Sequence, residues 1–338
     1  MKKKLNLGKK PPLSAIALFA AYALFVALVP RFFSGGYIIM VINLALIYSI
    51  VAYGISIMLG MGGHLLFSGI AFMGGGAFFI ANLCSKRFDI NMPTWAALLL
   101  LIPVFAVIAF ILGLVLLKLS GTYFTFSTIA LVQVCFTIYN NYKPLFGGPD
   151  GIAGVPTLKL FGYSFSSYTA WFYFLAALVL AVALLVERLR RTQLGRSLAS
   201  VRDNETAAKT LGVNVYMTKV IAFTIAGVLA ALAGGLYCLH SKYVSADMFT
   251  YNNATQYIIM AMLGGVNSSA GIFVGSLLVA VLPEILRSFE RYFQLFWGVS
   301  IVLLMVFMPT GLAGLFQRLT RRLTHRFAGK KERGGKAA

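Results

Sequence analysis

Apolar runs long enough to cross a bilayer recur along the whole chain, and nothing else in the sequence limits the fold so sharply. They lie near residues 13–30, 37–58, 62–84, 94–117, 120–141 and 168–187, then at 218–240, 254–283 and 293–309. About 20 apolar residues in a helix match the roughly 30 Å hydrocarbon core of a membrane. Inside that core every backbone N–H and C=O must find a partner within the protein, so only helices and closed barrels can span it. A barrel would need short segments of alternating polarity, and this sequence has none. The chain is therefore expected to be all-α, a polytopic integral membrane helical bundle. Its composition agrees: 59% of residues are hydrophobic, only 11% are charged, and the mean hydropathy is +0.85. No composition shift marks a second domain, so residues 1–338 read as one transmembrane unit.

The net charge of +20 could suggest a nucleic-acid partner, but its distribution argues against one. Basic residues gather at the N-terminus (Lys2, Lys3, Lys4, Lys9, Lys10), in the loop 188–217 and in the tail 316–338. All three read as cytoplasmic, because cytoplasmic loops carry the excess of Lys and Arg. In the tail, Leu315, Leu319, Leu323 and Phe327 share one helical face among arginines. That pattern suits a helix lying on anionic membrane lipid. The first run, Ala15 to Val29, is long for a signal peptide and is followed by Pro30-Arg31, a poor cleavage site. Cys84, Cys135 and Cys238 have no ligand spacing and read as small packing residues.

Crossings that start inside bring the chain back to the cytoplasm at the basic loop 188–217, and put the loop 142–167 outside. Segment 218–240 then crosses outward, and the basic tail requires the last span, 293–309, to return. Parity therefore asks for two crossings within 254–283. Gly264, Gly265 and Gly271, with Asn267-Ser268-Ser269 among them, supply the break. The expectation is about ten spans, two of them short or interrupted, with both termini cytoplasmic. Gly227, Ala231 and Gly235 recur at every fourth residue, as do Ala226, Ala230 and Gly234. Small residues at that spacing let helices approach closely.

The acidic residues are informative by their positions. Asp89, Asp150, Glu187, Asp203, Glu205, Asp247, Glu284, Glu290 and Glu332 all fall in loops or at span ends. Carriers driven by protons or sodium usually keep an ionisable group at membrane depth. The sequence also lacks a GxxxxGK[ST] phosphate loop, so the chain itself should not hydrolyse ATP. Its energy would then come from a partner. A carrier of a small polar solute, coupled to an ion and acting alone, is the alternative from another class.

A partner needs a place to grip, and the polar stretch after 187 offers one. Residues from about Ser197 to Leu211 favour helix, with Asp203 or Asn204 as N-cap and Gly212 as terminator. Arg202, Asp203 and Glu205 would project from that helix, and Ala207 and Ala208 are small enough to seat it in a groove. An ordinary basic loop obeying topology rules would account for the same charges. Path candidates are Gly63, His64, Ser68, Tyr123, Ser127 and Thr128. A lone histidine more often hydrogen-bonds a neighbouring backbone, and hydroxyls in spans more often bond their own helix. The GGPDGIAG stretch reads as a glycine-rich outer turn.

The string LGRSLASVRDNETAAKTLGVNVYMTKVIAFTIAGVLAALAGGLY, from Leu194, resembles the cytoplasmic coupling loop and following helix of permeases of branched-chain amino acid ABC importers. Further stretches match in family order: GTYFTFSTIAL at 121–131, GGPDGIAGVP at 147–156, LGGVNSSAGIFVGSLL at 263–278, LPEILR at 282–287 and MPTGLAGL at 308–315. The GTYF and GPDG stretches are closer to the M-type than the H-type subunit. The resemblance implies that Gly195, Arg196, Arg202, Asp203, Asn204, Glu205, Ala207, Ala208 and Gly212 form the surface met by an ATP-binding subunit. It implies as partners a paralogous or identical permease, two ATP-binding subunits that use ATP and Mg, and an extracytoplasmic solute-binding protein. No cofactor is expected on this chain, and the location implied is the bacterial inner membrane. The glycine-rich stretch at 60–79 resembles the family's early signature but departs from it at three positions: His64 stands where glutamine is usual, and Leu66 and Gly69 replace serine and histidine. Thr122 and Phe146 depart as well, replacing an acid and a threonine. These departures leave the solute unassigned.

Overall fold

The computed structural model of the chain describes residues 13–32, 36–88, 90–160 and 162–286, with isolated helical positions at 295, 298, 299 and 302. The N-terminal lysines, the tail 316–338 and most of the run 293–309 lie outside the described residues, as do Asp89, Glu290 and Glu332. The described chain is dominated by helices: α1 (Leu13–Phe32), α2 (Gly36–Ser56), α3 (Gly69–Cys84), α4 (Thr94–Leu116), α5 (Thr122–Asn141) and the short α6 (Lys143–Phe146). There follow α7 (Tyr168–Arg191), α8 (Gln193–Asp203), α9 (Glu205–Thr210), α10 (Val215–Ser241), α11 (Tyr251–Gly264) and α12 (Ser269–Leu286). A π-helical turn, Ile57–Met61, extends α2. Five of these helices are long and apolar enough to cross a membrane: α2 with its extension, α4, α5, α7 and α10. The protein is thus a polytopic helical membrane protein. Two small antiparallel pairs interrupt the all-helical picture. Strand β1 (Ile152–Ala153) pairs with β4 (Tyr243–Val244), and β2 (Lys159–Leu160) pairs with β3 (Tyr163–Ser164).

Helices α2 and α10 sit at the centre, with 72% and 67% of their most apolar stretches buried, whereas α4 and α5 bury only 22% of theirs and form the rim. The small-residue stripes explain how α10 gets there. Ala226 lies against Gly54 of α2, and a Cβ at Gly234 would collide with the Met73 carbonyl of α3. On the adjoining face Gly227 meets Ala109 of α4, and Gly235 meets Leu98 and Leu101. Lipid tails are as apolar as leucine, so such contacts stabilise through dispersion, roughly 0.1–0.2 kcal/mol per atom pair, and need close approach to count.

The expected break within 254–283 is present. Helix α11 stops at Gly264, and Gly265 takes φ +99° before the turn 265–268 leads into α12. The Gly265 amide donates to Ala261 and Met262, and Ser268 Oγ accepts from the Gly271 amide at 3.2 Å. Tyr53 of α2 donates to the Ser269 carbonyl at 2.8 Å, holding the turn against the bundle. With 14 residues, α11 spans only about 21 Å at roughly 1.5 Å per residue.

The two ends of the bundle differ. One gathers the C-terminal ends of α2, α4, α7 and α11 with the starts of α3, α5 and α10, and it carries α8 and α9. The other carries α6, the strands and the loop 142–167, where Tyr243 donates to the Asp150 carbonyl.

Candidate coupling segment and path residues

The polar stretch after α7 folds into two helices, not the single one expected from about Ser197 to Leu211. Thr192 ends α7 and caps α8, its Oγ1 accepting from the Gly195 amide at 3.4 Å. Gly195 makes the bend possible, because a Cβ there would strike the Leu189 carbonyl and the Arg190 backbone. Arg196 is exposed and donates to the Arg191 carbonyl at 2.6 Å. Leu198 and Val201 then bury the inner face of α8.

The break falls at Asn204, whose backbone is extended (φ −159°, ψ 108°). Its side chain accepts from the Ala207 amide at 3.0 Å and so caps α9. Asp203, the other candidate cap, instead ends α8 and points outward with its side chain 72% exposed. Asn competes well for local backbone hydrogen bonds, which favours a cap over a helix interior. Gly212 terminates the segment at φ +81°, with its amide bonded to the Lys209 carbonyl.

The charged side chains do not all project, as had been expected. Arg202 Nη1 donates to the Gly60 carbonyl at 2.6 Å, capping the π-turn of α2, and its stem crosses Gly63. Its Nε and Nη2 also hold Asp203 Oδ1, at 3.3 and 3.2 Å. Glu205 Oε2 accepts from Lys219 Nζ at 2.8 Å, and Oε1 lies 3.4 Å from Lys209 Nζ. The hydrogen bond from Lys219 holds the Glu205 carboxyl below the usual carboxylate range, against partial burial, with Lys209 adding to the effect. The two alanines also part company. Ala208 is buried against the chain's own Val201 and Val215, whereas Ala207 is exposed. Leu211, at the tip of the segment, is 80% exposed.

Lys219, just inside the apolar run 218–240, is a partner that the pattern of the polar stretch alone does not point to. It lies in the early turns of α10 with its side chain 8% exposed. A buried cation costs several kcal/mol unless paired, and Glu205 is the pair. The available signal was a lysine already inside an apolar run and an acid on the preceding polar helix.

Of the path candidates, Gly63 and His64 lie in the crossover between α2 and α3, Gly63 with φ +73°. The His64 ring packs edge-on to Phe124 at 5.7 Å between centroids. Burial depresses its pKa, the Lys219 charge lowers it further, and Glu205 partly offsets them. Ser68 is fully buried, and its hydroxyl finds no hydrogen-bond partner among the described residues. Tyr123 is 73% exposed at the start of α5. Ser127 and Thr128 donate back to Phe124 and Thr125 of their own helix, each at 2.7 Å. The structure thus gathers these residues at the α8–α9 end, with two of the hydroxyls already satisfied.

Comparison with known proteins fits this architecture. The family described as branched-chain amino acid transport system / permease component matches residues 37–308. The high-affinity branched-chain amino acid transport system permease protein LivM of Salmonella typhimurium is 30% identical over 293 residues, covering 80% of this chain and 68% of that protein. LivM of Escherichia coli is 29% identical over the same length. The ribose import permease RbsC of Haemophilus influenzae is 24% identical over 306 residues, 87% of this chain and 91% of its own. No solved structure matches. The family match runs from the start of α2 through the coupling segment and the broken α11–α12 pair, and on these grounds the chain belongs to the permease components of branched-chain amino acid transport systems.

Proposed function

We propose that this chain is one transmembrane permease subunit of an ATP-driven importer for branched-chain or related amino acids, working in a bacterial inner membrane. A second permease, paralogous or identical, completes the translocation path. Two ATP-binding subunits using ATP and Mg drive it, and an extracytoplasmic binding protein delivers the solute. Ten crossings with cytoplasmic termini follow if α11 and α12 are the short pair and the run 293–309 is the last.

One observation carries the coupling role. The segment α8–α9 is exposed on its outer side at Asp203, Ala207 and Leu211, yet tied to the spans by Arg202 to Gly60 and by Glu205 to Lys219. A segment built this way can accept a push and pass it on. Closure of the ATP-binding subunits presses the segment, and α2 and α10 move with it, so that the path opens alternately to each side. Gly195, Arg196, Asn204 and Gly212 give the segment its shape, Ala207 and Leu211 its contact surface, and Ala208 its seat on the permease. Gly63, His64, Ser68, Tyr123, Ser127 and Thr128 stand near the inner mouth of the path.

The test is uptake by the purified assembly in liposomes. ATP enclosed on the side of α8–α9 should drive accumulation that an ionophore leaves intact. Accumulation that collapses with the ion gradient at constant ATP would instead make the chain an ion-coupled carrier.

A further inference from the structure

Helix α11 is gripped at one end and lines a cavity near the other. At its C-terminal end, Arg190 Nη2 donates to the Val266 carbonyl at 3.0 Å and Nη1 to the Asn267 carbonyl at 2.5 Å. Glu187 Oε2 lies 3.5 Å from Arg190 Nη1 and accepts from Ser269 Oγ at 3.4 Å. The Arg190 side chain is only 15% exposed. Its planar fork spans two successive carbonyls of the turn, a match that a lysine ammonium cannot reproduce. These two carbonyls belong to the turn between α11 and α12, where neither helix supplies a backbone donor, so the guanidinium satisfies them instead.

Both residues belong to the last turns of α7, immediately before the bend into α8. Arg202 reaches the same spot from α8 through Gly60, which itself packs on the Val266 carbonyl. Two arginines, one on each side of the bend, thus converge on the break between α11 and α12.

Toward its other end, α11 presents Asn253, Gln256 and Tyr257 to a cavity of about 110 Å³ shared with Tyr48 of α2 and Tyr237 of α10. The rings of Tyr48 and Tyr257 are 5.1 Å apart, and Asn253 Nδ2 donates to the Met248 carbonyl at 2.9 Å. The lining offers hydroxyls and amides, which both donate and accept, and contains no Asp, Glu, Lys, Arg or His. Such a wall suits a small solute bearing both donors and acceptors and no net charge, as the head group of a zwitterionic amino acid does. Only about 12 Å separates Tyr257 from Gly265 along a helix rising roughly 1.5 Å per residue.

We propose that α11 is a lever: the α7–α8 bend moves its inner end through Arg190 and Glu187, and its outer turns reshape a cavity that takes a net-neutral solute. Arg190 and Glu187 are positioning residues in this scheme, while Asn253, Gln256 and Tyr257 face the solute. The inference rests on the importer reading and adds the element through which force reaches the path.

The test uses the assembled transporter with a single cysteine, Gln256→Cys, after Cys84, Cys135 and Cys238 are replaced by serine. Labelling by a maleimide should change several-fold between the nucleotide-free and the ATP–vanadate state. The zwitterionic amino acid delivered by the binding protein should slow it. Adding Arg190→Gln should abolish the nucleotide-dependent change and lower uptake per ATP about tenfold while hydrolysis continues. If that variant does not assemble, Arg190→Lys makes the same comparison, since one ammonium cannot bridge both carbonyls. Equal labelling in both states, or a change that survives loss of the guanidinium, overturns the lever. Absence of protection by the solute overturns the cavity assignment. ATP-independent uptake by the unmodified assembly would instead refute the importer reading itself, a result visible before any variant is made.

Discussion

Lys219 Nζ donates to Glu205 Oε2 across 2.8 Å, joining a 6-residue helix at the surface to the buried start of α10. The bond makes one body of a docking surface and a membrane span. Glu205→Lys would set another ammonium beside Lys219 and Lys209 and detach α9. Uptake should fall about tenfold, the change expected from roughly 1.4 kcal/mol of lost coupling, while the permease still inserts and the assembly still hydrolyses ATP. Normal uptake by this variant would remove Glu205 from the coupling role.

The same ion pair gives a pH signature. The Glu205 pKa is lowered in the folded chain from its ordinary 4.5. Its contribution to stability is therefore full above that ordinary value and is lost as pH falls through the lower, folded one. Thermal unfolding of the wild type and Glu205→Gln in detergent should differ at neutral pH and converge as the pH falls below the ordinary carboxylate value of 4.5. Since the carboxylate is partly exposed, solvent screening keeps the difference small.

His64 gives a pH dependence of the same sign for a different reason, since burial and a like charge, not an ion-pair partner, lower its pKa. Its folded pKa is depressed, so the unfolded chain binds the proton more readily. Stability should fall as pH drops through the ordinary histidine value near 6.5, as the imidazole is forced to charge beside Lys219. Melting curves of His64→Gln between pH 7 and pH 5 should show a shallower slope than the wild type.

Gly195→Ala should be severe even though alanine is a better helix former. The added methyl meets the Leu189 carbonyl and the Arg190 backbone, and neither can move without opening the α7–α8 bend. Reduced yield of folded protein, or a lower melting temperature, is the expected outcome on size-exclusion and thermal assays. Gly212→Ala, in open space but at φ +81°, should cost only about 1 kcal/mol from the left-handed backbone.

How much of this could be read in advance depends on whether a feature is local. The helical membrane class follows from hydropathy alone, and the break near Gly264 and Gly265 follows from glycine spacing and charge parity. Asn204 as a cap is equally local, since a cap needs only its own helix's first turn. What escaped were partnerships between segments distant in the sequence. Nothing near Arg202 announces Gly60, and nothing near Arg190 announces Val266 and Asn267. Outward projection of Arg202 and Glu205 was the natural expectation for charges on a polar helix. It failed because helix ends and a buried lysine in the same chain compete for them first. Ala208 turned inward for a related reason: with α9 capped at Asn204, that position faces Val201 and Val215.

The surface left for a partner includes Asp203, Thr206, Ala207, Thr210 and Leu211, and Leu211, 80% exposed, is its apolar tip. A photo-activatable or cysteine cross-linker placed at position 211 in the assembled transporter therefore reports on the whole scheme. Coupling through α8–α9 requires a cross-link to an ATP-binding subunit, with a yield that changes when ATP is bound. A position 211 that reacts only with impermeant reagents applied from outside the cell, or that never captures an ATP-binding subunit, would contradict it.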